Sequence, residues 1–151
     1  MTTVQMTAGI EALTPIDKKG APTMTDQDKR NIAVVRAMVA GDEAERASIA
    51  RDIVWHVPGH NPVSGDYHGY DEYTQVMVSR MAPLDRWDFT LGDVMVNGDY
   101  AMTTFRVQGE RKGKTIDLRG GHLMRVSAGG RVVEGWGFAD DQDALDEFFV
   151  D

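Results

Sequence analysis

From Thr25 onward the apolar positions change period along the chain, and each change marks an element. Ile32, Val35, Met38 and Val39 recur at helical spacing behind Thr25 and Asp26, either of which can cap a helix. Gly41-Asp42 ends that helix, and residues 43–50 read as a second, short one. Residues 52–57 (Asp-Ile-Val-Trp-His-Val) are rich in β-branched and aromatic side chains, so they read as a strand, stopped by Pro58-Gly59. Tyr73, Val76, Met77 and Arg80 restore helical spacing over 70–81, and Pro83 ends it. The period then drops to two over 87–96. Asn97-Gly98-Asp99 is a hairpin turn between that strand and one over 100–110. Strands over 115–127 and 131–139 follow, separated by glycine-bearing turns. Residues 140–150 close the chain as a helix whose buried side is Ala144, Leu145, Phe148 and Phe149.

This order gives two helices, a strand, a helix, a four-strand antiparallel meander and a terminal helix. Strands of this length twist and curve strongly. A curved antiparallel sheet with helices grouped on one side is an α+β layer. The helices do not fill its concave side, so an internal pocket is expected. The pattern predicts one domain over 25–151. Residues 1–24 mix Thr, Gly, Pro and scattered apolar positions and read as a tail, or as an arm for a partner subunit.

Composition narrows the function classes. The 151 residues carry 16 basic and 24 acidic side chains, a formal net charge of -8, which argues against nucleic acid or anionic lipid as the main partner. No apolar run approaches the roughly 20 residues of a membrane span. Without cysteine, disulfides, thiol catalysis and cysteine-ligated metals are excluded. Residues 1–24 have neither a basic start nor an apolar core, so a cytoplasmic location is expected. No glycine-rich phosphate loop leads from a strand into a helix, so no nucleotide cofactor is indicated. His56 and His60 are separated by Pro58-Gly59, which removes helical i, i+4 geometry, and no metal site is expected.

Trp55-His56-Val57-Pro58-Gly59, with Ser64-Gly65-Asp66-Tyr67-His68-Gly69, resembles the SnoaL-like group of the nuclear transport factor two superfamily. Residues 122–126 with the turn at Gly129-Gly130, and Trp136 to Asp141 followed by Ala144-Leu145 and Phe148-Phe149, resemble it as well. The resemblance covers residue 25 to the C-terminus. It implies a cone-shaped α+β barrel with an internal pocket, usually dimeric, and no cofactor. It does not fix one function, because the superfamily holds isomerases, polyketide cyclases, dehydratases, epoxide hydrolases and proteins that only bind or dimerise. By resemblance to ketosteroid isomerase, Val57 stands where that enzyme keeps its aspartate base. Val34 stands near its oxyanion tyrosine, and His122 stands at its protonated aspartate. The epoxide hydrolase acid–arginine–acid set falls on Phe105, Val107 and Gly137 or Phe138, so that reaction is not expected.

His122 is the leading candidate for chemistry. Alternation puts Gly120, His122 and Met124 on one face, and the resemblance makes that face the pocket. An imidazole can take or give a proton during enolisation, dehydration or aldol closure. SnoaL-like cyclases place an essential aspartate near the end of the last strand, where Asp140 and Asp141 stand. Counting from Arg131 puts Gly135, Gly137, Ala139 and Asp141 inside, whereas counting from Trp136 puts Trp136, Phe138 and Asp140 inside. Either carboxylate beside His122 would orient its ring, and one of them also caps the terminal helix. His56 is a further catalytic candidate. It points away if Trp55 and Val57 face the pocket, and a bulge beside Pro58 would reverse this. Trp55, Val57, Tyr67, Phe105, Met124, Trp136 and Phe138 are expected to enclose the ligand, with Tyr67, His60 and His68 on a rim loop. Asp117 and Arg119 read as a solvated ion pair. Two readings follow. One is a cofactor-free acid/base enzyme (isomerase, cyclase or dehydratase type) acting on a small, largely apolar carbonyl compound. The other is a non-catalytic module of the same fold that binds a small molecule or dimerises.

Overall fold

Thr25 opens the first helix by a reciprocal bond. In the computed structural model, which describes residues 23–151, its hydroxyl accepts from the Asp28 backbone N–H at 3.1 Å. The Asp28 carboxylate in turn accepts from the Thr25 N–H at 2.8 Å. Two otherwise unpaired donors are thereby satisfied. Helix α1 (Asp26–Met38) buries Asn31, Val35 and Met38. The Asn31 amide donates to the Gly98 carbonyl at 3.0 Å, tying the helix to a hairpin turn of the sheet. Val39, read as part of the apolar stripe, lies past the helix end and is exposed. The tail expected over 1–24 lies outside the described residues except for its last two.

Asp42 caps α2 (Glu43–Ser48), accepting from the Ala44 N–H at 2.8 Å. The helix stops two residues short of the expected end because Ile49 and Ala50 are buried at the start of β1 (Ile49–Val57). Burial on both sides of Arg51-Asp52 thus extends the strand beyond what its apolar run alone suggested. Residues Gly65–His68, expected as loop, form β2 and pair antiparallel with β1, Trp55 opposite Tyr67. The next helix begins as a π turn, Glu72–Val76, and runs into α3 (Met77–Met81). The Thr74 hydroxyl donates to the Tyr70 carbonyl at 2.8 Å, competing for an acceptor that a regular α turn would use.

The meander follows as β3 (Arg86–Asn97), β4 (Tyr100–Arg111), β5 (Lys114–Val126) and β6 (Val132–Ala139). The six strands order as β2-β1-β6-β5-β4-β3. One pairing corrects the antiparallel expectation: β1 runs parallel to β6, with Trp55 opposite Gly135. A register shift between Leu91 and Val94 bends β3. Helix α4 (Gln142–Phe149) buries Phe148 and Phe149. The result is a curved, open α+β sheet wrapped over helices, the cone expected from the sequence.

Two apolar clusters fill the concave side. One joins Val35, Met38, Ile53, Trp55 and Met124 beneath α1. The other joins Val63, Phe148 and Phe149 beneath α4. On the opposite face Asp117 pairs with Arg106 across the β4–β5 ladder at 2.6 Å, rather than with Arg119. Among the described residues, no helix is long and apolar enough to cross a membrane.

Candidate functional site

The register of the sheet decides which side chains face inward. His122 pairs with Thr103 on β4 and with Gly137 on β6. Opposed residues in an antiparallel ladder share a face, so Thr103, His122 and Gly137 form one inward row. Gly120, Phe105 and Ala139 form the next. On β6 the inward set is therefore Gly135, Gly137 and Ala139, the count made from Arg131. Trp55 and Val57 point inward from β1, Phe89 from β3, and Leu145 and Phe149 from α4. Together they surround a cavity of about 410 Å³ between the two apolar clusters.

Trp55 fixes the shape of this cavity. Its six-membered ring lies over Gly135, where an added methyl would overlap Cζ3 and Cε3. Its edge meets the His122 ring at 5.0 Å and its flank meets Tyr73 at 5.2 Å. The indole thus separates the Tyr73 and His122 rings inside a mostly apolar chamber.

His122 is held by aromatic rings rather than by polar partners. Phe105 lies 4.8 Å away, and Phe89 stacks at 6.1 Å with an interplanar angle of 10°. The ring is enclosed by protein, and its remaining accessible surface faces the cavity. Burial pushes its pKa down to about 4, with no second cause. The imidazole is therefore neutral at pH 7, with one N–H and one lone pair. Among the described residues neither ring nitrogen has a hydrogen-bond partner, and no carboxylate approaches it.

The aspartates expected beside it serve other purposes. Asp141 caps α4, accepting from the Ala144 N–H at 3.0 Å. Asp140 accepts from the Arg119 backbone N–H at 3.1 Å. Both are exposed, and neither borders the cavity. The strand ends at Ala139, so the alternation that would bring Asp141 inside stops before reaching it.

His56 points to the outer face, as the inward orientation of Trp55 and Val57 requires. Its Nδ1 meets Asp66 at 2.7 Å, and its Nε2 meets Glu134 at 3.5 Å. Burial lowers its pKa, but the two carboxylates more than offset this and the net direction is upward. Trp136, expected in the pocket, stacks on His56 at 5.3 Å on that outer face. Tyr67 is buried in the core, where its hydroxyl donates to the Val63 carbonyl. Met124 is likewise core, behind the cavity wall. Phe138 borders the cavity, but its ring lies over Gly121 and is 41% exposed. Of the expected enclosing residues, Trp55, Val57, Phe105 and, at the margin, Phe138 line the cavity with His122.

The rim loop is docked, not free. Asp146 on α4 accepts from the His60 N–H at 3.0 Å, from Asn61 Nδ2 at 2.6 Å and from Gln142 Nε2 at 2.9 Å. Gly59, at φ +93°, leaves the space these side chains occupy. Among the described residues, no three His, Asp or Glu side chains are placed to hold a metal ion.

Sequence reasoning missed Tyr73, Phe89, Gln142 and Glu45 as cavity residues. Tyr73 and Met77 were legible as one helical face, but that face is a chamber wall rather than solid core. Burial, with a contribution from Glu45, pushes the Tyr73 hydroxyl well above the usual phenol range, so it stays protonated. Glu45, on a short charged helix, gave no signal.

This open cone over an apolar chamber is a nuclear-transport-factor-2-like architecture. The model of the SnoaL-like domain matches residues 31–135, and the chain belongs to that family. Among solved structures, it is similar to a Xanthomonas campestris protein of unknown function with a cystatin-like fold, at 26% identity and TM-score 0.71. That match covers 80% of this chain and 98% of the other. It is also similar to a putative SnoaL-like polyketide cyclase from Jannaschia sp. CCS1, at 13% identity and TM-score 0.69, covering 87% and 99%. TerC, co-crystallized with polyporic acid, matches at 18% identity and TM-score 0.67, covering 80% and 98%. No curated protein sequence matches significantly.

Proposed function

We propose that this domain binds a small, largely apolar carbonyl compound in the cavity, and that neutral His122 donates a hydrogen bond to its oxygen. The observation that carries this reading is an imidazole without a partner among the described residues, bordering a 410 Å³ chamber walled mostly by aromatic and aliphatic groups. A buried polar group of this kind gains most from a ligand that completes its hydrogen bonding. The likeness to a putative polyketide cyclase and to a protein crystallized with polyporic acid agrees with a ligand of this type. Trp55 and Trp87 both line the cavity, so tryptophan emission reports binding. His122→Leu is expected to weaken 2-acetylnaphthalene about tenfold, the worth of one hydrogen bond, with little effect on 2-ethylnaphthalene. Equal affinity of the variant for the ketone would remove His122 from recognition.

The acid/base reading keeps one supporting observation. A neutral imidazole carries both a donor and an acceptor, as proton transfer next to a carbonyl needs. Against it stand the missing carboxylate partner and the weak basicity that burial imposes. The same ketone decides, because a catalyst would exchange its methyl protons for deuterium at least a hundredfold faster than His122→Ala does. Exchange no faster than in buffer leaves binding alone.

We also infer a homodimer joined through the outer face. Met95, Met102, Leu123 and Trp136 lie opposite one another across β3, β4, β5 and β6, forming a continuous outward row. Met95 is 48% and Met102 37% exposed. An apolar row of this length on an open sheet face is a feature of association surfaces. Light scattering is expected to give twice the chain mass, and Met102→Glu to give monomer. A monomeric native chain at micromolar concentration would refute the inference.

A further inference from the structure

Among the described residues, Glu45 is the only Asp, Glu, Lys or Arg side chain that borders the cavity, and the lining His122 is neutral there. It comes from α2, beside Val39 and Gly41, which are exposed and mark this end of the chamber as the open one. Among the described residues, no basic side chain lies within ion-pair distance of its carboxylate. Its charge is felt at Tyr73, which lines the same cavity and packs against Trp55. Trp55 touches Tyr73 on one side and His122 on the other. The chamber therefore has a polar group at each end of an apolar slot, a neutral donor inside and a carboxylate toward the opening.

From this arrangement we infer that Glu45 is a charge-selecting residue. The cavity prefers ligands carrying an amine or another strong hydrogen-bond donor at the end facing α2, and it rejects carboxylates. This inference rests on the cavity-binding reading above and assigns the second end of the ligand. The chemistry is direct. An unpaired carboxylate partly removed from water attracts a cation strongly and repels an anion by a similar amount. Aromatic faces beside it add cation–π attraction for the amine and nothing for the carboxylate. Among the described residues no lining cation offsets this asymmetry, because no Lys or Arg lines the cavity and burial keeps His122 uncharged at pH 7.

Three probes with one aromatic body and different charge test it: 2-naphthylmethylamine, 2-naphthalenemethanol and 2-naphthoate, titrated at pH 7 by Trp emission and calorimetry. The amine is expected to bind at least about tenfold tighter than the carboxylate. Glu45→Gln is expected to reduce that ratio about tenfold. A ratio that Glu45→Gln leaves unchanged overturns the inference while leaving the cavity reading intact. Should none of the three bind, and 2-acetylnaphthalene also fail, the cavity reading itself falls and takes this inference with it. Glu45→Lys supplies a control on sign, because it should invert the preference and bind the carboxylate more tightly than the amine.

Discussion

Gly135→Ala is expected to destabilise the domain by about 3 kcal/mol, and Trp55→Phe should remove much of that penalty when the two are combined. The cause is one contact. A methyl on Gly135 would sit inside the van der Waals radius of Trp55 Cζ3 and Cε3, the outer edge of the indole. Trp55 is 5% exposed and held between Tyr73 and His122, so moving off Gly135 means displacing both rings or entering the cavity. Overpacking of a closed core typically costs about 1–3 kcal/mol, at the upper end when the neighbour cannot rotate away. The parallel β1–β6 pairing, which sets Trp55 opposite Gly135, adds a backbone cost if the strands must part. Phenylalanine lacks the second ring, so the double variant should show a coupling of at least about 1 kcal/mol. Urea unfolding of the four proteins of the cycle measures this. Strict additivity would mean that the glycine is needed for some other reason.

That pair also marks the limit of what the sequence discloses. Period changes located every long element, because amphipathic helices and half-buried strands each impose a spacing that local composition must obey. Alternation also grouped Gly120, His122 and Met124 on one face of β5, but only the family resemblance made that face the inner one; the outward turn of His56 followed once Trp55 and Val57 were placed inside. The parallel contact of β1 with β6 was not legible, since residues about 80 apart leave no local mark when they pair. Asp140 and Asp141 show a second kind of limit. Alternation continues only as far as the ladder does, and the ladder stops at Ala139. Beyond it, helix capping and a turn to Arg119 decide where the carboxylates go. Glu45 shows a third: a charged residue on a six-residue helix reads as solvent-facing, and only the tertiary packing of α2 over the cone brings it to the chamber.

Acid should reveal His122 as a buried neutral base, and His122→Phe should remove the effect. The unfolded chain titrates this group near 6.5, whereas burial holds it to about 4 in the folded domain. Between those values the unfolded state binds a proton that the folded state refuses. Stability therefore falls as the pH drops from about 6.5, and the loss from this group is complete near 4. The interval sets an upper bound of about 3 kcal/mol, and the ring's open side toward the cavity reduces it, so about 2 kcal/mol is expected. His56 works in the opposite sense. Its two carboxylates outweigh its burial, so its contribution is full below its unfolded value and fades as pH rises through the raised one. Acidic groups such as Asp117, held down by Arg106, add an acid loss of their own at lower pH. Subtracting the curve of His122→Phe from that of the native chain cancels both, because neither group touches the inner ring. Phenylalanine suits the site, which already packs Trp55, Phe89 and Phe105 around the imidazole. The difference curve should rise by about 2 kcal/mol between pH 4 and pH 6.5 and then stay flat. A flat difference throughout would mean that the folded domain accepts the proton at its ordinary pKa. His122 would then be partly charged near neutrality, and the proposed recognition of a carbonyl oxygen would lose the neutral donor it depends on.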